Sequence, residues 1–240
     1  LNKIGKTRDL IYVSKEDHTN CFYSYGIEFH EFMSCIPDRP DNLLLIKHNF
    51  EEALMNRHTG FEYVTKQEIN KLIEDDVYGY GDFCWVDFID EEELDALSSD
   101  QIAQLLFFGH LARPLHKIPM NRFAYFAHDD GWFNKLYITE HQDYENLLAN
   151  VIPMKLRRLT GRKVNGIPSA IASKLVTCAK DGLFIDLSNV IKSRTQLKIP
   201  MTAIGHWTDM DQVYNLREEI NHYQIWLLYS NKVWRIVKED

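Results

Sequence analysis

The sequence is poor in features that announce a function by themselves. Its 240 residues include only four cysteines, Cys21, Cys35, Cys84 and Cys178, widely spaced and without a C-x-x-C pair. That excludes a dense disulfide framework. Long apolar runs are also missing. The longest strongly apolar stretch, Ile225 to Tyr229, falls far short of the roughly 20 residues that a membrane-spanning helix needs. Near the start, Lys3, Lys6 and Arg8 are followed by Lys15, Glu16 and Asp17, where a secretion signal needs an apolar core. A leader removed before Leu1 would leave the same sequence. Together these features point to a reducing cytoplasm and away from a membrane. No G-x-S-x-G, H-E-x-x-H, G-x-G-x-x-G or EF-hand pattern occurs, so enzymes with a local signature of these kinds are excluded. A triad or carboxylate pair assembled from distant residues would leave no such mark.

What is present is an ordinary globular mixture, 45% hydrophobic and 26% charged, which excludes a disordered or low-complexity chain. Its length suits one large domain or two small ones, able to bury a core without disulfides or metals. The pattern along the chain mixes helix and strand periods. Asp9–Val13 and Cys21–Tyr25 suggest a first hairpin, and residues 26–35 a short helix. Leu43–Ile46 suggests a buried strand, and Asn49 a cap for a helix to about His58. Thr65 with Glu68, and Ser98 with Gln101, match capping boxes that open helices. Phe83–Ile89 suggests a strand. Residues 123–138 suggest a hairpin turning at Asp129-Asp130-Gly131.

A helix from about Asp143 is expected to end, kink or restart at Pro153, whose ring lacks an amide and clashes with the preceding turn. Another helix opens at Ile167 or Pro168 and closes before Gly182. Leu183–Leu187 suggests a strand, Thr208–Asn221 a helix, and the chain ends in a hairpin turning at Ser230-Asn231-Lys232. Hairpins rather than strict strand–helix alternation predict an α+β fold with a mixed or mainly antiparallel sheet. One domain spanning 1–240 is expected. The proline-bearing connector 113–122 is the place for an internal boundary.

Charge is unevenly distributed. Residues 1–150 hold 13 Lys+Arg and 27 Asp+Glu, a balance of −14; residues 151–200 hold 10 and 2, a balance of +8; residues 201–240 hold 4 and 6, a balance of −2. Two readings are open. The basic segment could pack beside the acidic part and be neutralised internally. Alternatively, Lys155, Arg157, Arg158, Arg162 and Lys163 form an anion site. Arginine offers a planar fork suited to phosphate, and the glycines at 161 and 166 precede a helix start whose free amides could add donors. Ile167 and Pro168 stand where a phosphate loop needs Lys and Ser or Thr, so that motif itself is excluded.

Other clusters have structural explanations beside the chemical ones. His18, Cys21, His30 and Cys35 are possible zinc ligands, but only the first spacing fits and the neighbouring aromatics favour core cysteines. His128, Asp129 and Asp130, with His110 and His116 upstream, could hold a metal and activate water, although Asp-Asp-Gly is also hairpin-turn chemistry. His206, Trp207 and Asp209 flank a helix cap, and Asp90–Glu93 suits a helix N-terminal turn.

The functional expectation is therefore a soluble intracellular binding protein. Its 155–166 segment would take a phosphorylated small molecule or an acidic protein partner. The alternative is a metal-assisted hydrolase at His128–Asp130. The acidic whole argues against general nucleic-acid binding. Whether the chain is an enzyme, which cofactor it uses and its oligomeric state are left open by the residues.

Overall fold

The computed structural model describes residues 9–16, 21–75, 77, 81–107, 121–127, 133–207, 215, 220, 223 and 225–238. They fold as α+β, with six α-helices and one 13-stranded antiparallel sheet. The strands are β1 (Leu10–Glu16), β2 (Cys21–Tyr25), β3 (Leu43–Lys47), β4 (Leu54–Met55), β5 (Glu62–Val64), β6 (Phe83–Asp87), β7 (Phe123–Ala127), β8 (Phe133–Ile138), β9 (Leu183–Asp186), β10 (Ile191–Lys192), β11 (Gln196–Ala203), β12 (Ile225–Ser230) and β13 (Val233–Lys238). The helices are α1 (Phe29–Cys35), α2 (Ile69–Glu74), α3 (Glu91–Asp95), α4 (Ser99–Phe107), α5 (His141–Thr160) and α6 (Ser169–Cys178). No helix among the described residues is long and apolar enough to cross a membrane.

The sheet order is β13-β12-β11-β9-β1-β2-β8-β7-β6-β3-β5-β4, with β10 paired to β11. Strand β1 lies in the interior, paired with β2 through Tyr12↔Tyr25 and with β9 through Tyr12↔Phe184. Alternation along each strand sends successive side chains to opposite faces. One face carries Ile11, Val13, Phe22, Leu43, Leu45, Phe83, Trp85 and Ile185, all at most 2% exposed, into the main core with α1, α5 and α6. The opposite face holds two smaller clusters. Leu44, Cys84 and Phe126 meet Leu94 and Leu105 of α3 and α4, and Leu10, Tyr12 and Phe184 meet Ile204, Trp207 and Ile220.

Several local signals act as the residue chemistry requires. Ser98 and Gln101 exchange reciprocal hydrogen bonds, the Ser98 amide donating to Gln101 Oε1 at 2.9 Å and the Gln101 amide to Ser98 Oγ at 3.3 Å. Asp90 caps α3 by accepting from the Glu93 amide at 3.0 Å. The final hairpin turns through Asn231 and Lys232, both at positive φ (52° and 65°), as a two-residue turn matching the strand twist requires.

Three expectations differ from the structure. Residues 49–58 form turns and β4 instead of a helix. Asn56, 1% exposed, organises the turn by accepting from the Thr59 amide and hydroxyl and donating to Asp95 at 2.8 Å. Helix α5 continues through Pro153 as one helix, neither ending nor restarting there. The missing proline amide would leave the carbonyl of Ala149, four residues earlier, without its helical donor. The Ile167 amide donates to that carbonyl at 3.0 Å instead. Strand β11 has no counterpart among the expectations, and its Pro200 explains why a strand is hard to recognise there. The 113–120 part of the candidate boundary, the turn at 128–132 and most of the 208–221 helix lie outside the described residues.

Where the chain enters β7, Asp87 accepts from the Arg122 amide at 3.0 Å and the Phe123 amide at 2.5 Å. Burial nevertheless pushes the Asp87 carboxyl up to about 6, opposed by these amides and by the Arg122 charge. Its folded value lies above an unfolded value of about 3.9, so between the two the folded state holds the extra proton. The stabilisation from Asp87 is then complete below about pH 4 and lost as pH rises through 6. Urea unfolding across that range will show this slope, and Asp87→Asn will remove it. An NMR midpoint for Asp87 at or below 4 would mean that the amides outweigh burial.

Candidate functional site

The basic segment begins inside α5. Lys155 is 1% exposed, and its Nζ lies 2.8 and 2.6 Å from the two carboxylate oxygens of Glu31 on α1. Arg158, on the same side one turn later, reaches Glu31 Oε1 at 3.2 Å from a half-exposed position. Glu31 also accepts from the Glu28 amide in a capping box, so the helix start and the ion pair share one carboxylate. Burial lowers the Lys155 ammonium, with Glu31 acting in the opposite direction. One carboxylate thus serves both cations and offsets one of their two charges, and Lys155 is closed off from solvent.

The rest of the segment leaves the helix and turns outward. Arg157 donates to the Pro153 carbonyl at 3.2 Å. Gly161 ends α5 in the left-handed region (φ 67°), its amide donating to the Arg157 carbonyl at 2.9 Å. Its place is thus a helix cap. Residues 161–168 run as an irregular strap, with Val164 and Ile167 buried at 3% and 5% exposure. Asn165 joins the strap to the last hairpin: its amide donates to Tyr229 Oη at 3.3 Å and its carbonyl accepts from Trp234 Nε1 at 3.0 Å. Within the strap the Arg162 amide donates to Thr160 Oγ1 at 3.2 Å and the Ile167 amide to the Ala149 carbonyl at 3.0 Å, so these two amides are already engaged.

Tertiary pairing adds basic residues that the segment does not contain. Arg162 Nη1 donates to the Gln196 carbonyl at 3.3 Å, placing it beside the β10–β11 turn that carries Arg194. Lys192 Nζ donates to the Leu159 carbonyl at 3.2 Å, at the negative end of the α5 dipole. Among the described residues, no carboxylate lies within ion-pair distance of Arg157, Arg162, Lys163, Lys192 or Arg194. Asp186, the acid nearest in sequence to Lys192 and Arg194, has both oxygens engaged by Ser188, Asn189 and Tyr223.

The acidic counterpart is elsewhere. Residues 36–107 hold 17 Asp+Glu and 5 Lys+Arg, a balance of −12, and supply β3 to β6 and α2 to α4. Seven strand-to-strand steps separate β11 from β3, about 35 Å along the sheet. The Debye length in physiological salt is about 8 Å. Measured along the sheet, the two charge excesses lie several Debye lengths apart.

The remaining candidates are scattered. Cys21 and Cys35 belong to clusters on opposite faces of the sheet, and exposed His30 pairs with Glu28 at 3.2 Å, so they share no metal site. Burial pushes the Cys21 thiol up to about 12 and the Cys35 thiol up to about 11, as for core residues. No group of three or more potential metal ligands occurs among the described residues. His18, His110, His116, His128, Asp129, Asp130 and Asp209 lie outside them. His206 Nδ1 lies 2.5 Å from Ser14 Oγ, and the Trp207 amide donates to Tyr12 Oη at 2.8 Å, which pins this strap to β1.

Lys192 and Arg194 lie outside the 155–166 segment, and only the charge balance of residues 151–200 includes them. No protein-family model, curated protein or solved structure matches the chain.

Proposed function

We propose that the chain is a binding protein whose basic margin, formed by the end of α5 and the β10–β11 turn, takes an acidic partner. The supporting observation is the separation of charge along the sheet. Glu31 pairs with Lys155 and Arg158, while half-buried Arg162 and exposed Lys163 and Arg194 have no carboxylate within ion-pair distance among the described residues. These cations spread over a helix end and a turn. That geometry suits an extended acidic surface better than a small enclosed anion. A local excess of this kind raises the concentration of oppositely charged partners and speeds their encounter.

Lys163 and Arg194 are the informative positions, because both are exposed and hold no part of the fold together. With labelled polyglutamate as the probe, fluorescence anisotropy will show binding that weakens with added salt. The pair Lys163→Glu and Arg194→Glu will lower affinity at least about tenfold with unchanged thermal unfolding. Binding that ignores both the salt and the charge reversal would leave this margin a solvated surface.

A further inference from the structure

We propose that the acidic partner binds as an extended strand along β13, extending the sheet by one strand. This rests on the preceding reading of the basic margin and adds the geometry of docking.

Strand β13 ends the sheet order, and no described strand pairs with its outer side. The two-residue turn at Asn231–Lys232 makes Ser230↔Val233 a hydrogen-bonded pair. The alternation then commits the backbone groups of Val233, Arg235 and Val237 to β12. Those of Trp234, Ile236 and Lys238 point outward, available to another strand. The strand itself is held firmly. Trp234 is 3% exposed, is bonded to the Asn165 carbonyl and packs against Tyr229 with ring centroids 4.8 Å apart. The template therefore needs no ordering when a partner arrives, which lowers the cost of binding.

Charge selects the occupant. Lys198, Leu228 and Arg235 form one cross-strand row, so two cations share the face that an added strand would extend. Val233 on that face is 50% exposed, and Ile191 opposite Lys198 is 52% exposed. An incoming strand gains most from a carboxylate near Arg235 with β-branched residues beside it. A second copy is a poorer occupant. Antiparallel pairing of two β13 strands about Ile236 would set Arg235 of each copy diagonally across from that of the other on one face, and cations on an edge oppose such self-pairing.

The test uses the full chain with a synthetic peptide that alternates glutamate and valine. A second peptide of the same sequence carries backbone N-methyl groups that remove its donors. Ile236→Pro removes an outward-pointing donor that β12 does not use, a position where an edge strand tolerates proline. The expected result is binding of the first peptide, weakened at least about tenfold by N-methylation and by Ile236→Pro. The N-methyl comparison decides the matter even where the proline variant folds poorly. Binding that is lost with Lys163→Glu and Arg194→Glu but indifferent to N-methylation would overturn strand addition and leave the basic margin as a binding face. Failure of the peptide to bind under any condition, with polyglutamate also unbound, would overturn both. A concentration-dependent dimer that Ile236→Pro dissociates, with no peptide binding, would assign the edge to a second copy and overturn the proposal.

Discussion

Replacing Glu31 by alanine will destabilise the protein by about 3–5 kcal/mol, the scale of breaking a buried ion pair by deleting one partner. The loss comes mainly from what remains. Lys155 stays 1% exposed on α5, with its ammonium left without the carboxylate that compensates its burial. Arg158 is half-exposed and can turn to water, so it contributes little of the penalty. Glu31→Gln retains the capping geometry but removes the charge, and will recover only the cap. The pair Glu31→Leu with Lys155→Met removes both charges and will recover most of the stability, since apolar replacement of a buried pair is often neutral or better. Urea unfolding of the four proteins checks the order. A single variant as stable as the original would mean that Lys155 finds another partner or loses its proton at little cost.

The second large effect is expected at Gly182, which follows the helical turn after α6. It has φ 71°, and a Cβ added there would run into the Gly205 carbonyl oxygen. The approach is close because two backbone hydrogen bonds hold the segments together: the Ile204 amide donates to the Gly182 carbonyl and the Gly205 amide to the Asp181 carbonyl, both at 2.9 Å. Gly182→Ala must break this pairing or shift β9, at a cost of about 3 kcal/mol or more. Gly161→Ala is the internal control. It has a similar φ of 67° with nothing within 4 Å of the added Cβ, and will cost only about 1 kcal/mol. Thermal unfolding separates the two; equal losses would show that conformation alone, rather than contact with Gly205, sets the effect.

The parts of the fold that were legible are those whose information is local. The last hairpin could be read because apolar runs on both sides meet at Asn231-Lys232. The helix after Pro168 could be read because Ile171, Leu175 and Cys178 recur at helical spacing. Strand β11 was hidden by Pro200, which usually argues against an interior strand. In the structure Pro200 lies between the stretch of β11 that pairs with β10 and the stretch that pairs with β9. Its missing amide faces that gap. Pro153 does not end α5 for a related reason: the carbonyl left without its helical donor accepts instead from Ile167, beyond the helix end.

The candidate site divides in the same way. The excess of cations in residues 151–200 was visible as a count. The fate of each was not. Glu31 lies 124 residues before Lys155 in the chain, and no local pattern couples them. Lys192 and Arg194 join the margin only because β10 folds back on β11.

The central position of β1 bears on how the chain is made. The strands on one side of it, β2 to β8, are complete by Ile138, whereas its other neighbour, β9, begins only at Leu183. At a synthesis rate of about 5–20 residues per second, the interval between β1 and β9 is roughly 10–35 s. Throughout that time the nascent chain presents Leu10-Ile11-Tyr12-Val13, all fully buried in the finished protein, along an unpaired strand edge. A ribosome that stalls before β9 therefore releases a product with an adhesive side, suited to chaperone capture or to pairing with its own kind.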